Sequence, residues 1–255
     1  MVFFKLASGR WAFMMVMCLT LAPTWSVFGE SISYTSGAES IFGDSTIYGD
    51  TLLFSPTAFS SSCSGADGVN MADGLLRVWI TSPTGIENVS VQEGGAWFFF
   101  GPGTAATQAY VGAHAAELVI TQVDGLPVVG DPLIIVPGTM DFSPSSSAVG
   151  SRTFNATEPV DPAGWQGTML FDDLGATLAG TPYQGELVTG AMLVFDDILA
   201  TASEVGTVAY IDKKWISITT SPQPDSVPEP GTLVLLAAAS ALGLIYRLRK
   251  RSKTN

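Results

Sequence analysis

From residue 30 to residue 226 the apolar positions do not recur at the i, i+3, i+4 and i+7 spacing that gives a helix one apolar face. They come in short runs rich in β-branched and aromatic residues, interrupted by Gly, Pro, Asp and Ser. The runs predict strands over 31–35, 51–55, 75–81, 87–92, 96–100, 115–122, 133–136, 167–171, 187–195, 207–211 and 215–220. Many of them alternate. In Leu76-Arg77-Val78-Trp79-Ile80-Thr81 the side chains of 76, 78 and 80 share one face, while Arg77, Trp79 and Thr81 share the other. A strand with one dry and one wet face belongs to an antiparallel sheet half exposed to water. Ten or eleven such strands predict an all-β body, an antiparallel β-sandwich of jelly-roll-like form, with a closed barrel as the second choice. The uneven strand lengths fit an outer-membrane barrel poorly.

The least regular stretch is 137–164, where Ser143-Pro144-Ser145-Ser146-Ser147 leads into Pro and Gly; it predicts a long loop on the sandwich edge or an inter-strand insertion. One internal echo stands out. Phe171-Asp172-Asp173 and Phe195-Asp196-Asp197 are each followed by Ala-Thr, 24 residues apart. Two copies are too few for a repeat architecture and predict two strands ending in the same acidic turn.

The two ends break the β pattern. Lys5 and Arg10 precede an apolar run from Trp11 to Ala22, and small residues follow at Ser26 and Gly29. That order predicts a secretory signal helix over 1–29, cleaved after Gly29, with cleavage after Ser26 as the second choice. Near the other end Pro222, Pro224, Pro228 and Pro230 make an extended linker over 222–231. An uncharged apolar segment, 232–246, follows it, and then Arg247, Arg249, Lys250, Arg251 and Lys253. A helix of that length spans only about 22 Å at ~1.5 Å per residue, short for the ~30 Å core of a bilayer. It predicts a minimal transmembrane helix, with the basic tail 247–255 as the cytoplasmic stop and the body outside.

Charge sharpens the division. Seven of the chain's 11 Lys and Arg lie in the two ends, leaving Arg77, Arg152, Lys213 and Lys214 against 22 of the 23 acidic residues in 30–226. A body this acidic is repelled by phosphate backbones, which excludes nucleic acid as a partner. With Cys18 in the signal segment, only Cys63 remains, so the body at 30–221 must rest on its core rather than on an internal disulfide.

Candidate chemistry is thin. The single histidine, His114, sits between small residues in what reads as a loop, and no Gly-x-Ser-x-Gly elbow accompanies it. One His and one Cys cannot fill a closed zinc site. Calcium would need carboxylates, for which Asp172/Asp173, Asp196/Asp197 and the loop from Asp67 to Asp73 are donors without a defined spacing. A glycosidase needs two carboxylates across a cleft, which sequence neither finds nor excludes. Trp97-Phe98-Phe99-Phe100, with Trp79, Trp165 and Trp215, offers rings for stacking on sugars, but alternation sends about half of such a run into the core. The reading is of no catalytic residues, no metal and no cofactor.

Val227-Pro228-Glu229-Pro230-Gly231-Thr232, then a short Leu/Ala/Gly helix, then Arg247-Leu248-Arg249-Lys250-Arg251, resembles the PEP-CTERM sorting signal of Gram-negative bacteria. The resemblance covers only the last 30 or so residues. It implies an exported protein recognised by an exosortase, with Pro228, Glu229 and Pro230 as the recognition triplet. The expectation is a non-enzymatic protein, anchored in the inner membrane before processing and then released to the cell surface or extracellular matrix. The alternatives are a carbohydrate-binding module of the extracellular polymer and a surface glycoside hydrolase.

Overall fold

The computed structural model describes residues 32–66, 68–129, 133–144, 148–159 and 164–222. The expected signal helix over 1–29, the Pro228-Glu229-Pro230 triplet, the expected transmembrane helix over 232–246 and the basic residues from Arg247 to Lys253 lie outside the described residues, as does Asp67.

The described chain is nearly all β. Its strands are β1 (Ser33–Ser36), β2 (Ser45–Tyr48), β3 (Thr51–Phe54), β4 (Ser60–Ser64), β5 (Val69–Thr81), β6 (Ile86–Phe100) and β7 (Gln108–Val123). They continue as β8 (Leu126–Pro127), β9 (Ile135–Pro137), β10 (Asp141–Ser143), β11 (Ser151–Asn155), β12 (Trp165–Phe171), β13 (Val188–Ala202) and β14 (Val208–Pro222). Single 3-10 turns occupy Ser40–Phe42 and Ala176–Leu178. Among the described residues no helix is long and apolar enough to cross a membrane.

All pairings are antiparallel, in two sheets. Sheet A runs β1-β5-β13-β7-β11, with β8 and β9 also on the free edge of β7. Sheet B runs β10-β12-β6-β14-β3-β2, with β4 sharing the edge of β14 beside β3. The long strands β5, β6, β7, β12, β13 and β14 fall alternately in sheets A and B, so their connections pass from one sheet to the other. Short hairpins occur only at the margins. In β7–β8 the left-handed pair Asp124 (φ 48) and Gly125 (φ 77) makes the turn whose twist matches its strands.

One apolar cluster lies between the inner faces and draws on both sheets. Phe195 and Leu199 of β13, Val89 and Val91 of β6 and Ile211 and Ile218 of β14 are all buried at the period of two. The rings of Trp97 from sheet B and Phe154 from sheet A stack at 4.0 Å between centroids and 16° between planes. Hydroxyl pairs also cross the gap: Tyr34 donates to Thr220 Oγ1 at 3.0 Å, and Ser61 and Thr201 lie 2.9 Å apart.

Strands β5, β6, β7, β12, β13 and β14 are longer than the sequence predicts. The predicted runs 87–92 and 96–100 are one strand, β6, and 207–211 and 215–220 are one strand, β14. Gly94-Gly95 reads as a break because glycine weakens strands. Here the two glycines let rings approach the backbone: a Cβ at Gly94 would lie 2.8 Å from the Trp215 ring, and one at Gly95 2.8 Å from Trp165 Nε1 and 1.8 Å from the Asp212 carbonyl. β14 survives Lys213-Lys214 through a bulge, with Lys213 opposite Gly95 and Trp215 opposite Gly94. The stretch 137–164, expected to be irregular, contributes β10 and β11, one to each sheet. The echo is not structural either. Asp172 and Asp173 follow the end of β12, whereas Asp196 and Asp197 sit in the middle of β13.

Because a Cβ at Gly95 has backbone on one side and an indole on the other, Gly95→Ala is expected to destabilise the fold by about 3 kcal/mol and to lower Tm by roughly 6–12 °C. Thermal unfolding followed by circular dichroism measures it; an unchanged Tm would contradict the packing described here.

Candidate functional site

The period of two places three charged side chains on dry faces. In β6 the inward series is Val89, Val91, Glu93; in β13 it is Leu193, Phe195, Asp197; in β14 it is Ala209, Ile211, Lys213. Glu93 and Asp197 are fully buried and Lys213 is 1% exposed. The three meet between the sheets, where the Lys213 ammonium contacts Glu93 Oε2 and Asp197 Oδ2.

The surroundings are built for this cluster. Lys213 Nζ lies 5.2 Å from the centre of the Phe59 ring and 5.5 Å from that of Trp165, and both ring faces favour a cation. Phe42 packs edge-on against Phe59 at 5.3 Å, and Phe142 lies 6.0 Å from Trp165. Each charged residue has a glycine as its cross-strand neighbour: Gly167 beside Glu93, Gly74 beside Asp197 and Gly95 beside Lys213. The space these glycines leave is filled by Met140 and Phe142, by Ile41 and Phe42, and by Trp165, respectively. Bulges flank the cluster on both sheets. One is at Lys214 in β14, and the other lies in β7 opposite Val194 and Asp196, where Ala115 takes a left-handed φ of 47°.

Burial, and next the negative charge of Asp197, push the Glu93 carboxyl up to about 8 against the pull of Lys213. At neutral pH Glu93 therefore holds its proton. Glu93 Oε1 and Asp197 Oδ1 are buried with no hydrogen-bond partner.

The residues singled out in the sequence fall elsewhere. His114 is exposed and lies in β7 rather than in a loop; its Nε2 is 3.0 Å from the Tyr110 hydroxyl, and Asp196 faces it across the strand pair. Burial and Asp73 push the Asp196 carboxyl up, and His114 opposes them. Cys63 points inward from β4, where its thiol donates to the Gly68 carbonyl at 3.2 Å. Of the tryptophans, Trp97 and Trp165 are core, Trp79 is 40% exposed on sheet A and Trp215 lies half-buried over Gly94. Phe98 (47% exposed) and Phe100 (73%) point outward from β6, and Phe98 stacks on Tyr210 at 4.8 Å. Among the described residues no three His, Cys, Asp or Glu side chains come together as a metal site. Two surface clefts, of about 590 and 380 Å³, hold Asp124 as their sole carboxylate. Glu93 and Lys213 drew no attention as chemistry in the sequence. Extending the inward series by one step past Val91, Phe195 and Ile211 puts each of the three on a dry face, but does not say which strands bring them together.

An acid whose folded pKa is raised binds its proton more tightly when folded. The stability Glu93 contributes is thus full below its ordinary value of 4.5 and is lost as pH rises through about 8. Urea unfolding across that window is expected to show the wild type losing stability relative to Glu93→Gln as pH increases. A difference independent of pH would overturn the assignment of the proton to Glu93.

Comparisons with known proteins come from both parts of the chain. No curated protein matches it. Among solved structures, the loop-swap mutant of Neocallimastix patriciarum Xyn11A is 10% identical, covering 74% of this chain and 100% of its own, at a TM-score of 0.21. The family 11 xylanase from Neocallimastix patriciarum is 9% identical over 74% of this chain and 100% of its own, at 0.19. The enzymatically active domain of bacteriophage CBA120 tailspike protein 4 is 9% identical over 74% of this chain and 19% of its own, at 0.13. Likenesses this weak say nothing about the activity of this chain. The tail gives a specific result, for residues 226–251 match the PEP-CTERM protein-sorting motif. The chain is thus a β-rich body that carries a PEP-CTERM protein-sorting motif, the mark of an exported and sorted protein.

Proposed function

We propose that this protein is a non-enzymatic component of the cell surface or extracellular matrix, delivered there by processing of its tail. The match of residues 226–251 to the sorting motif carries the reading. In it, Pro228, Glu229 and Pro230 are the triplet an exosortase recognises, and 232–246 holds the chain in the inner membrane until processing. Arg247, Arg249, Lys250, Arg251 and Lys253 keep the end of the chain in the cytoplasm. The acidic body stays soluble outside and is repelled by anionic lipid. The non-enzymatic reading is supported by the burial of Glu93 and Asp197, which places these two carboxyls where no substrate reaches them.

Replacing Pro228-Glu229-Pro230 with alanines is expected to leave the full-length chain in the membrane of cells that contain an exosortase, while the wild type is shortened and released. Immunoblotting of membrane and released fractions reads the outcome. Equal retention of the tail in both would remove the basis of the proposal.

A second reading, binding to extracellular polysaccharide, is favoured by Phe98, Phe100 and Tyr210 on the outer face of sheet B. Outward rings of this kind stack on sugar faces. In that case Phe98→Ser with Phe100→Ser weakens retention on the native polymer by about tenfold, roughly 1.4 kcal/mol. Co-sedimentation of the exported protein with the polymer measures this, and equal sedimentation of variant and wild type would discard the second reading.

A further inference from the structure

We propose that Lys213 and Asp197 condense to an intramolecular isopeptide bond, with Glu93 carrying the protons, so that a covalent bridge joins the two sheets inside the core. The amine and both carboxyls are in direct contact and buried, and they come from three strands that meet only in the folded chain. Fixed contact replaces a collision between dilute groups, an advantage equivalent to an effective concentration of about 10⁵–10⁸ M. All three side chains are buried away from solvent, and exclusion of water favours uncharged species over an ion pair.

The step balances without any co-reactant. The proton of the Lys213 ammonium that lies against Asp197 passes to that carboxylate, leaving a neutral amine beside a neutral acid. The Nζ lone pair attacks Asp197 Cγ and forms the C–N bond. Glu93 takes a proton from the nitrogen through one oxygen and delivers the one it holds to the departing hydroxyl. The C–O bond breaks, one water leaves, and Glu93 ends with as many protons as it began with. Glu93 Oε1 has no other partner and is free for this exchange. Condensation also removes a standing cost, since it deletes the ammonium, the carboxylate and one carboxyl oxygen from a place where unpaired polar atoms are penalised.

Asp197, not Glu93, is the acyl partner. Glu93 lies on β6, the hydrogen-bonded neighbour of β14 in sheet B, and its longer side chain lets the carboxyl swing between nitrogen and oxygen. Asp197 reaches across from sheet A on a short side chain that holds its carboxyl against Nζ through Oδ2. The bridge suits the rest of the molecule. Outside the signal segment the chain has only Cys63, so no internal disulfide can brace a body sent to an exposed location.

The test uses the full-length folded protein, denatured and digested. No Lys or Arg lies between Arg152 and Lys213, so trypsin releases both partners in one peptide. That peptide is expected to end at Lys214, uncut after Lys213, and to weigh one water less than its sequence requires. A protease that cuts after glutamate cleaves at Glu204, between the partners, and the two resulting fragments are expected to stay joined. In Asp197→Ala, Lys213→Arg and Glu93→Gln the mass deficit is expected to vanish and the fragments to separate, with circular dichroism confirming that the Glu93→Gln chain is folded. A wild-type peptide of full mass with separable fragments overturns the proposal, whether or not any variant folds. A bridge from Lys213 to Glu93, or a deficit that persists in Asp197→Ala, overturns the assignment of the acyl partner. Wild-type yield in Glu93→Gln overturns the role of Glu93.

Discussion

Long strands that cross alternately between two sheets must each keep one face dry along their whole length, and at one level of this molecule that dry face carries an ammonium and two carboxyls. Moving such groups out of water costs several kcal/mol per ion unless each finds partners. Much of the local architecture follows from that constraint. Phe59 and Trp165 turn ring faces toward Lys213. Gly74, Gly95 and Gly167 give up side chains so that Phe42, Trp165 and Phe142 can roof the cluster. The bulge at Lys214 lets β14 place Lys213 inward and still return Ile216 and Ile218 to the core. Without the extra residue every side chain beyond it would point the other way.

The cations of the body are distributed on the same principle. Lys213 is held in the core by Glu93 and Asp197, Lys214 meets Asp212 on the outer face of sheet B, and Arg152 pairs with Glu158 at 2.5 Å. Arg77 lies exposed on the outer face of sheet A. With three of the four basic residues paired to carboxylates, the surface is left strongly anionic. Such a surface is repelled by anionic lipid. The basic residues outside the body include the cluster from Arg247 to Lys253, most of which falls within the sorting-motif match at residues 226–251.

The alternation of the long strands was legible because burial on one face imposes a period of two whatever the partner strand is. It correctly divided Trp97 and Phe99 from Phe98 and Phe100. Ends and breaks were less legible. Gly94-Gly95 and Lys213-Lys214 look like interruptions because glycine gives up packing and adjacent lysines seek water. Trp165, Trp215 and the buried acids compensate for both, and all of them come from other strands. β4, with the sequence Ser60-Ser-Ser-Cys-Ser64, has almost no apolar side chain to announce it and is a strand because the edge of β14 supplies its hydrogen bonds.

By itself the sequence determined the class of fold, the acidity of the body and the address at its tail, since each depends on local periodicity, on composition or on a contiguous motif. Only the tertiary structure decided which charged residues meet. Lys213 and Glu93 are 120 positions apart, and Lys213 and Asp197 are 16 apart on strands of different sheets. Strand pairing and bulge placement are non-local, and a shift of one residue in either would send those side chains to water.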